Sequence, residues 1–349
     1  MQITIVGAGV VGLSIAHELV SRGAAVRIVD GRGPGRGATY ASAGMLAPYI
    51  EGHSPSLLKL TLCSLKHYDS FIARVVEDSG RAVEYRRNGT LEIATEARGA
   101  ARLAEAAPHL EGAQLLDAAA AREFEPGVGD VTSALFVARH GYVAVRQLVV
   151  ALEAALANRG VVVAHERVED LAAEAARADA VVVATGSWTT QLAGMPAGLD
   201  RHLRPVRGQL VQVRLPSPPA SHVLWGPGCY LVPWQDGSVL IGATSEDVGF
   251  DERSTASGVR GLLDAAVKVL PALDGAAFEE VRVGLRPSTD DELPVIGRSS
   301  TMRGVCYATG HYRNGVLLAP WTALAVADLL LEGRERSELD LVKPERFRL

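Results

Sequence analysis

At 349 residues the chain is larger than one hydrophobic core usually serves, so two domains are expected. Its 48% hydrophobic and 21% charged residues exclude a disordered chain, and a net charge of -5 leaves no basic face for nucleic acid or anionic lipid. Three scattered cysteines, Cys63, Cys229 and Cys306, exclude a disulfide framework and a paired-cysteine metal knuckle; they fit a reducing cytoplasm, and no metal is expected.

Residues 2–6 (QITIV) are continuously apolar, as in a buried parallel strand. Because this strand starts so early, no signal peptide is expected. It runs into GAGVVG, with Gly7, Gly9 and Gly12 around Val10 and Val11. Gly12 is expected to open a helix with Leu13, Ala16, Leu19 and Val20 on one face, ending at Arg22-Gly23. A second strand, residues 25–29, ends on Asp30, eighteen residues past Gly12. Such a loop lets the backbone approach a pyrophosphate at a helix N-terminus, while the acid accepts hydrogen bonds from a ribose diol. NAD and FAD use the same loop, so it does not separate them. The glycine-rich stretch RGPGRGATYASAGML at residues 32–46 is either an ordinary surface loop or a passage beside a ribityl chain and flavin ring.

Residues 57–76 look helical, 90–94 form a short strand, and alanine-rich helices run to Glu123 before Pro126-Gly127. Residues 141–158 read as one helix, with Val145, Leu148, Val149, Leu152 and Leu156 at helical spacing. Strands follow at 161–164 and 179–184, the latter landing on Thr185-Gly186. Residues 208–213, 230–233 and 239–243 alternate like an antiparallel sheet. Val259, Leu262, Leu263, Ala266, Val267 and Leu270 then mark a helix stopped by Pro271. A final strand, glycine turn and helix occupy residues 307–320, YATGHYRNGVLLAP. Two such crossings at opposite ends of the chain point to a long cofactor, FAD. The apolar stretch 316–331, broken by Pro320 and Asp328, reads as a buried helix, and no membrane association is expected.

The segments IVGAGVVG, VDGRGPGRGATYASAGMLAP, VVVATGSW, LRPVRGQLVQV, CYLVPWQDGSVLIGAT, GLRPSTDDELPVIG and ATGHYRNGVLLAP occur in that order along the whole chain. Together they resemble the D-amino-acid oxidase superfamily, and most of all its glycine oxidase branch associated with thiamine synthesis. The resemblance implies an α/β fold with a glutathione-reductase-like, Rossmann FAD-binding domain (residues 1–50, 136–196 and 284–349). Beside it stands an α+β substrate domain with a mixed or antiparallel sheet (51–135 and 197–283). It implies non-covalent FAD, a homo-oligomer, and oxidation of glycine, sarcosine or D-alanine by molecular oxygen to imine or glyoxylate, ammonia and hydrogen peroxide. The imine would feed thiazole synthesis.

By the same resemblance, Gly7, Gly9, Val10, Val11 and Gly12 match the pyrophosphate loop. Asp30, Gly31 and Arg32 match the ribose end, and Val168, in a strand-like ERVED stretch, meets the adenine. Thr39, Ser42, Ala43, Gly44 and Met45 lead to the reactive edge of the flavin, with Ala184, Thr185, Gly186 and Trp188 also at the cofactor. Gly310, His311, Tyr312, Arg313, Asn314, Gly315 and Val316 match the turn at the pyrimidine end. Arg286 matches the clamp on the substrate carboxylate, Tyr230 a hydroxyl that supports it, and Arg313 a second arginine there.

The residue types suit that chemistry: a guanidinium fork holds a planar carboxylate bidentately, and a tyrosine adds one oriented donor. Plainer readings stand beside it. Arg286 has Asp290, Asp291 and Glu292 nearby for a surface salt bridge; Arg313 could cap a turn; Tyr230 could be a cross-strand packing residue. Trp225, Trp234 and Trp321 read as packing or rim residues. Gly228 and Ser245 depart from the histidine and methionine of some glycine oxidases, which leaves the preferred amine open. A dehydrogenase using another acceptor and a non-catalytic flavin-binding subunit are the alternative functions.

Overall fold

The computed structural model describes residues 1–50, 53–195 and 198–347. The first apolar run lies inside a six-stranded sheet of order Val295–Arg298, Val305–Thr309, Ala180–Val183, Gln2–Val6, Ala25–Val29, Val163–Ala164. Neighbours are parallel except the pair Val295–Arg298 and Val305–Thr309. Helices Val10–Ser21, Val145–Ala157 and Gly315–Ala327 pack with it, and Ile3, Ile5, Leu13, Ile15, Leu152 and Trp321 share one buried core. Each such aliphatic side chain contributes about 1.5–3 kcal/mol on burial.

An eight-stranded mixed sheet follows the order Ala277–Thr289, Leu203–Arg214, Ser238–Gly242, Cys229–Pro233, Val223–Gly226, Thr90–Ala94, Ser133–Val137, Ala113–Asp117. Its neighbours are antiparallel except for the parallel pair Val223–Gly226 and Thr90–Ala94. Helix Ala256–Val269 buries Leu262, Ala266 and Val269 against a second core. Met45–Leu46, Gly141–Val143 and Tyr85–Arg86 make a small third sheet. The fold is α/β.

Several elements differ from the expectations. The first helix begins at Val10, because Gly9 takes the extended N-cap conformation (φ -72, ψ 176); Gly12 lies inside its first turn. Residues 57–76 form two helices, Pro55–Leu65 and Tyr68–Ser79. Residues 141–158 divide into strand Gly141–Val143 and helix Val145–Ala157. The expected strand 161–164 shortens to Val163–Ala164, while 208–213 extends to Leu203–Arg214 along its long partner Ala277–Thr289. ERVED is loop, not strand.

The last helix runs through Pro320, and the two-helix arrangement explains how. Proline removes the N–H that Val316 O would accept one turn earlier. Tyr68 Oη donates to Val316 O at 2.8 Å in its place, and Ser64 Oγ donates to Leu317 O at 2.7 Å. The run Gly315–Glu332 is long and apolar enough to cross a membrane by length and composition, with mean hydropathy 1.5, yet 78% of it is buried within the fold.

Candidate active site

A cavity of about 690 Å³ opens where the parallel strands end, at Val6, Val29, Ala184 and Thr309. Ligands of open parallel sheets bind in this position, outside the carboxyl ends of the strands.

The glycine loop forms one wall. Gly7 has φ +108, and a Cβ there would stand 2.4 Å from Ala184 O, so only glycine fits. Gly9 lies against Thr39, whose Oγ1 accepts from Val10 N at 3.0 Å. Helix Val10–Ser21 has no side-chain cap and no acid in its first turn, so its positive end, at Val10 and Val11, stays without an internal counter-charge. Asp30 is oriented by three backbone donors: Ala8 N to Oδ2 at 2.7 Å, and Arg32 N and Gly33 N to Oδ1 at 2.7 and 3.0 Å. A carboxylate has about four lone-pair sites, so capacity for a ribose diol is left. Gly31 and Val168 line the same end. The Arg32 guanidinium stacks 4.1 Å over Trp188 and pairs with Glu252 at 3.0 Å.

Ser42, Ala43, Gly44 and Met45 form the next stretch of wall. Gly44 has φ +73, and a Cβ on it would stand 1.9 Å from Val143 O. Ala184, Thr185, Gly186 and Trp188 lie opposite, at the entry to a 3-10 turn. At the far end His311, Tyr312, Arg313, Asn314, Gly315 and Val316 line the cavity. Tyr312 N donates to Pro287 O at 2.9 Å, and Asn314 N donates to His311 O at 2.8 Å. His311 is buried beside Thr322, and that burial pushes its imidazole down to about 3, so it is neutral. Helix Gly315–Ala327 likewise starts with no side-chain cap and no first-turn acid, giving a second positive helix end on the same cavity.

Gly12 and Gly310, both expected at the cofactor, do not line the cavity. A Cβ on Gly12 would stand 2.0 Å from Gly7 O; one on Gly310, at φ +73, would stand 2.8 Å from Thr289 Cγ2. Both are glycine because backbone and strand crowd them from behind.

Arg286, Tyr230 and Arg313 converge on this cavity from two strands and the 310–315 turn. Arg286 is half-buried, and its Nη1 donates to Thr244 O at 3.0 Å and to Arg207 O at 3.4 Å. It has no carboxylate partner among the described residues. The suggested surface pairing is corrected: Asp290 bonds His202 at 2.7 Å and Asp291 bonds Arg346 at 2.8 Å. Tyr230 stacks on Trp225 (5.3 Å, 28°) and lies over Gly242, whose added Cβ would meet its ring and hydroxyl. Packing and cavity lining are therefore both true of Tyr230. Arg313 is exposed at the rim, with Nη2 3.1 Å from Tyr312 Oη.

Sequence reasoning missed Gly208, Cys229, Gly242 and Thr244, which also line the cavity, as does Trp225, expected as a packing or rim residue. Glycines inside the strand patterns LRPVRGQ and VLIGA were the available signals, since such a glycine marks close approach by another group. Burial pushes the Cys229 thiol up to about 12, so it is a small apolar wall and not a nucleophile. No cluster of three metal-ligating side chains occurs among the described residues.

Two uncapped helix ends, a strand-end carboxylate and walls closed to any Cβ fit a long dinucleotide with anionic phosphates. Residues 2–329 match the family described as DAO, FAD dependent oxidoreductase. A glycine oxidase of Geobacillus kaustophilus is 34% identical over 97% of this chain and 95% of its own length. A bifunctional protein ThiO/ThiG of Synechocystis is 33% identical over 99% of this chain, which spans 54% of that relative; the chain is thus about half the length of the bifunctional relatives it matches. The crystal structure of glycine oxidase from Geobacillus kaustophilus superposes with a TM-score of 0.89 at 33% identity, covering 96% of this chain and 95% of that one. The cofactor that this family description names is FAD. The chain belongs to the DAO family of FAD-dependent oxidoreductases.

Proposed function

We propose that this enzyme oxidises small amino acids, glycine, sarcosine or D-alanine, with molecular oxygen as the final acceptor. One observation carries the reading: the Arg286 guanidinium is held by two backbone carbonyls at the FAD cavity and meets no carboxylate among the described residues. A half-buried cation held this way is completed by an anion, and an amino-acid carboxylate matches its planar fork. In this reading residues 1–50, 136–196 and 284–349 bind FAD and residues 51–135 and 197–283 complete the substrate side; all strands of the six-stranded sheet fall in the first three pieces, which supports the reading, while Ser133–Val137 and Ala277–Thr289 of the eight-stranded sheet cross its boundaries.

Bound FAD supplies a two-electron acceptor for the substrate Cα–H bond. Arg286 fixes the carboxylate, Tyr230 adds a hydroxyl beside it, and Arg313 closes the rim. None of these side chains needs to take the Cα proton if the substrate amine arrives neutral. In balance, glycine, oxygen and water give glyoxylate, ammonia and hydrogen peroxide. Likeness to a bifunctional ThiO/ThiG protein supports the finer proposal that the imine is passed to thiazole synthesis for thiamine.

The test is anaerobic mixing of the yellow holoenzyme with glycine, sarcosine and D-alanine. Bleaching of the flavin absorbance by at least one of them is expected, with recovery and peroxide on admitting air. No bleaching by any of the three would end the proposal.

A further inference from the structure

Behind Arg286 lies an ion-paired cluster whose charged side chains do not line the cavity. Arg207 is 3% exposed, and by strand alternation its side chain leaves the sheet on the face opposite to Arg286, which stands across from Val206. Its Nη2 meets Glu246 Oε2 at 2.6 Å and its Nη1 meets Asp251 Oδ2 at 3.1 Å. The backbones pair as well: Arg207 N to Glu246 O at 2.9 Å and Glu246 N to Arg207 O at 3.0 Å. Glu246 Oε1 also accepts from Gln209 Nε2 at 2.7 Å and from Thr244 Oγ1 at 2.6 Å. Gln209 reaches further along the segment, with Oε1 accepting from Thr255 N at 2.7 Å.

Residues 244–255 are thereby strapped across strand Leu203–Arg214. Both oxygens that receive Arg286 Nη1, Thr244 O and Arg207 O, belong to residues in this cluster. Burial raises the Glu246 carboxyl, but the bonds from Arg207, Thr244 and Gln209 outweigh it and bring it down to about 2, so the strap stays ionised at any working pH. A buried arginine without such partners would be strongly destabilising.

We propose that Arg207 and Glu246 are positioning residues, which set the substrate-binding pose of Arg286 through the carbonyl oxygens of Thr244 and Arg207. The inference rests on the assignment of Arg286 to the substrate carboxylate. Neither side chain touches substrate; each acts by fixing a carbonyl that aims the guanidinium. A misplacement of about 1 Å at a binding group can cost about 100-fold, so releasing Thr244 should raise the KM for amino acid by roughly 10- to 100-fold, with kcat at saturation changing far less.

The experiment titrates acetate, a carboxylate without an amine, into oxidised holoenzyme and reads the perturbed flavin absorbance. Four proteins are compared: wild type, Glu246→Ala, Arg286→Lys and the double variant. Glu246→Ala should weaken acetate roughly tenfold or more at unchanged FAD content, and should add little in the Arg286→Lys background. Full additivity in the double variant would overturn the proposal, since the strap would then act independently of Arg286. So would a wild-type acetate Kd in Glu246→Ala when Arg286→Lys alone is weakened. An unchanged Kd in Arg286→Lys would instead overturn the carboxylate assignment, and this inference with it. If Glu246→Ala does not fold, Glu246→Gln replaces it; that variant keeps the side-chain shape, and a wild-type acetate Kd there would count against the proposal equally.

Discussion

The guanidinium of Arg286 lies flat against the α-carbon of Gly208: a Cβ built there would fall 2.3 Å from Nη2 and 2.4 Å from both Cζ and Nη1. No left-handed φ is involved at this position, so the requirement for glycine is one of space alone. Gly208→Ala should therefore push the guanidinium off its two carbonyls. We expect a KM for amino acid raised by about 100-fold, the scale set by misplacing a binding group, with bound FAD unchanged. Steady-state kinetics beside a flavin-to-protein ratio checks this; a wild-type KM would show that the arginine does not rest on Gly208 in solution.

Gly12, in the first turn of helix Val10–Ser21, gives a different outcome. Its missing Cβ faces a backbone carbonyl, Gly7 O, at 2.0 Å, and backbone cannot swing aside as a flexible side chain can. Gly12→Ala should separate the first helix from the loop and misplace the helix end that faces the cavity. We expect a purified protein that is colourless or loses its flavin on ultrafiltration, with secondary structure retained by circular dichroism. Tight yellow protein would show that the loop absorbs the methyl group.

How far the sequence revealed these features depended on range. Strand, loop and helix at residues 2–21 were legible because hydrophobic period, glycine spacing and a C-cap all fall within one short stretch of chain. The crowding of Gly12 against Gly7 O was not legible, because sequence shows that a Cβ is absent, not which side of the backbone it would have occupied. How a buried helix runs through Pro320 was not legible, since the hydroxyls of Ser64 and Tyr68 that satisfy the carbonyls of Leu317 and Val316 lie more than two hundred residues away in the chain. Arg286 was picked out by resemblance, but Arg207 and Glu246 were not, because their pairing appears only once Leu203–Arg214 and the segment after Ser238–Gly242 lie side by side.

Gly261 supplies the opposite test of glycine. It stands exposed inside helix Ala256–Val269, without a left-handed φ and with nothing within 4 Å of a built Cβ. Here glycine only adds flexibility to the unfolded chain and weakens the helix, so Gly261→Ala should stabilise the protein by about 0.5–1 kcal/mol. For a chain of this size that is a rise of roughly 1–3 °C in Tm. Differential scanning calorimetry of the holoenzyme measures it, and a lower Tm would show that the helix face is not free.

Buried histidines make the fold lose stability in acid, His17 by a downward shift from burial and His140 and His311 by larger ones. His140 is fully buried; its Nε2 accepts from Tyr49 N at 3.4 Å, which leaves Nδ1 to donate to Thr90 Oγ1 at 2.7 Å. Burial, with a smaller contribution from the charge of Arg87, pushes it down to about 3, and burial alone brings His311 to about 3. Folded values thus lie below the ordinary value of 6.5, and the unfolded chain takes up protons first as pH falls. The stabilising effect of both neutral imidazoles is complete above about pH 6.5 and declines steadily as pH falls toward about 3, by about 1.4 kcal/mol per pH unit for each. His53, brought down to about 4 by burial and by Arg313, adds to the slope in the same direction. Glu246 contributes only lower down, as pH drops below the ordinary carboxyl value of 4.5 toward about 2. Urea unfolding at about pH 7.5, 6 and 5 should therefore show stability falling with acid above the range where most carboxylates are protonated. His140→Gln, which cannot take up that proton, should flatten the profile in this window, and an unchanged slope would mean that His140 is not held neutral.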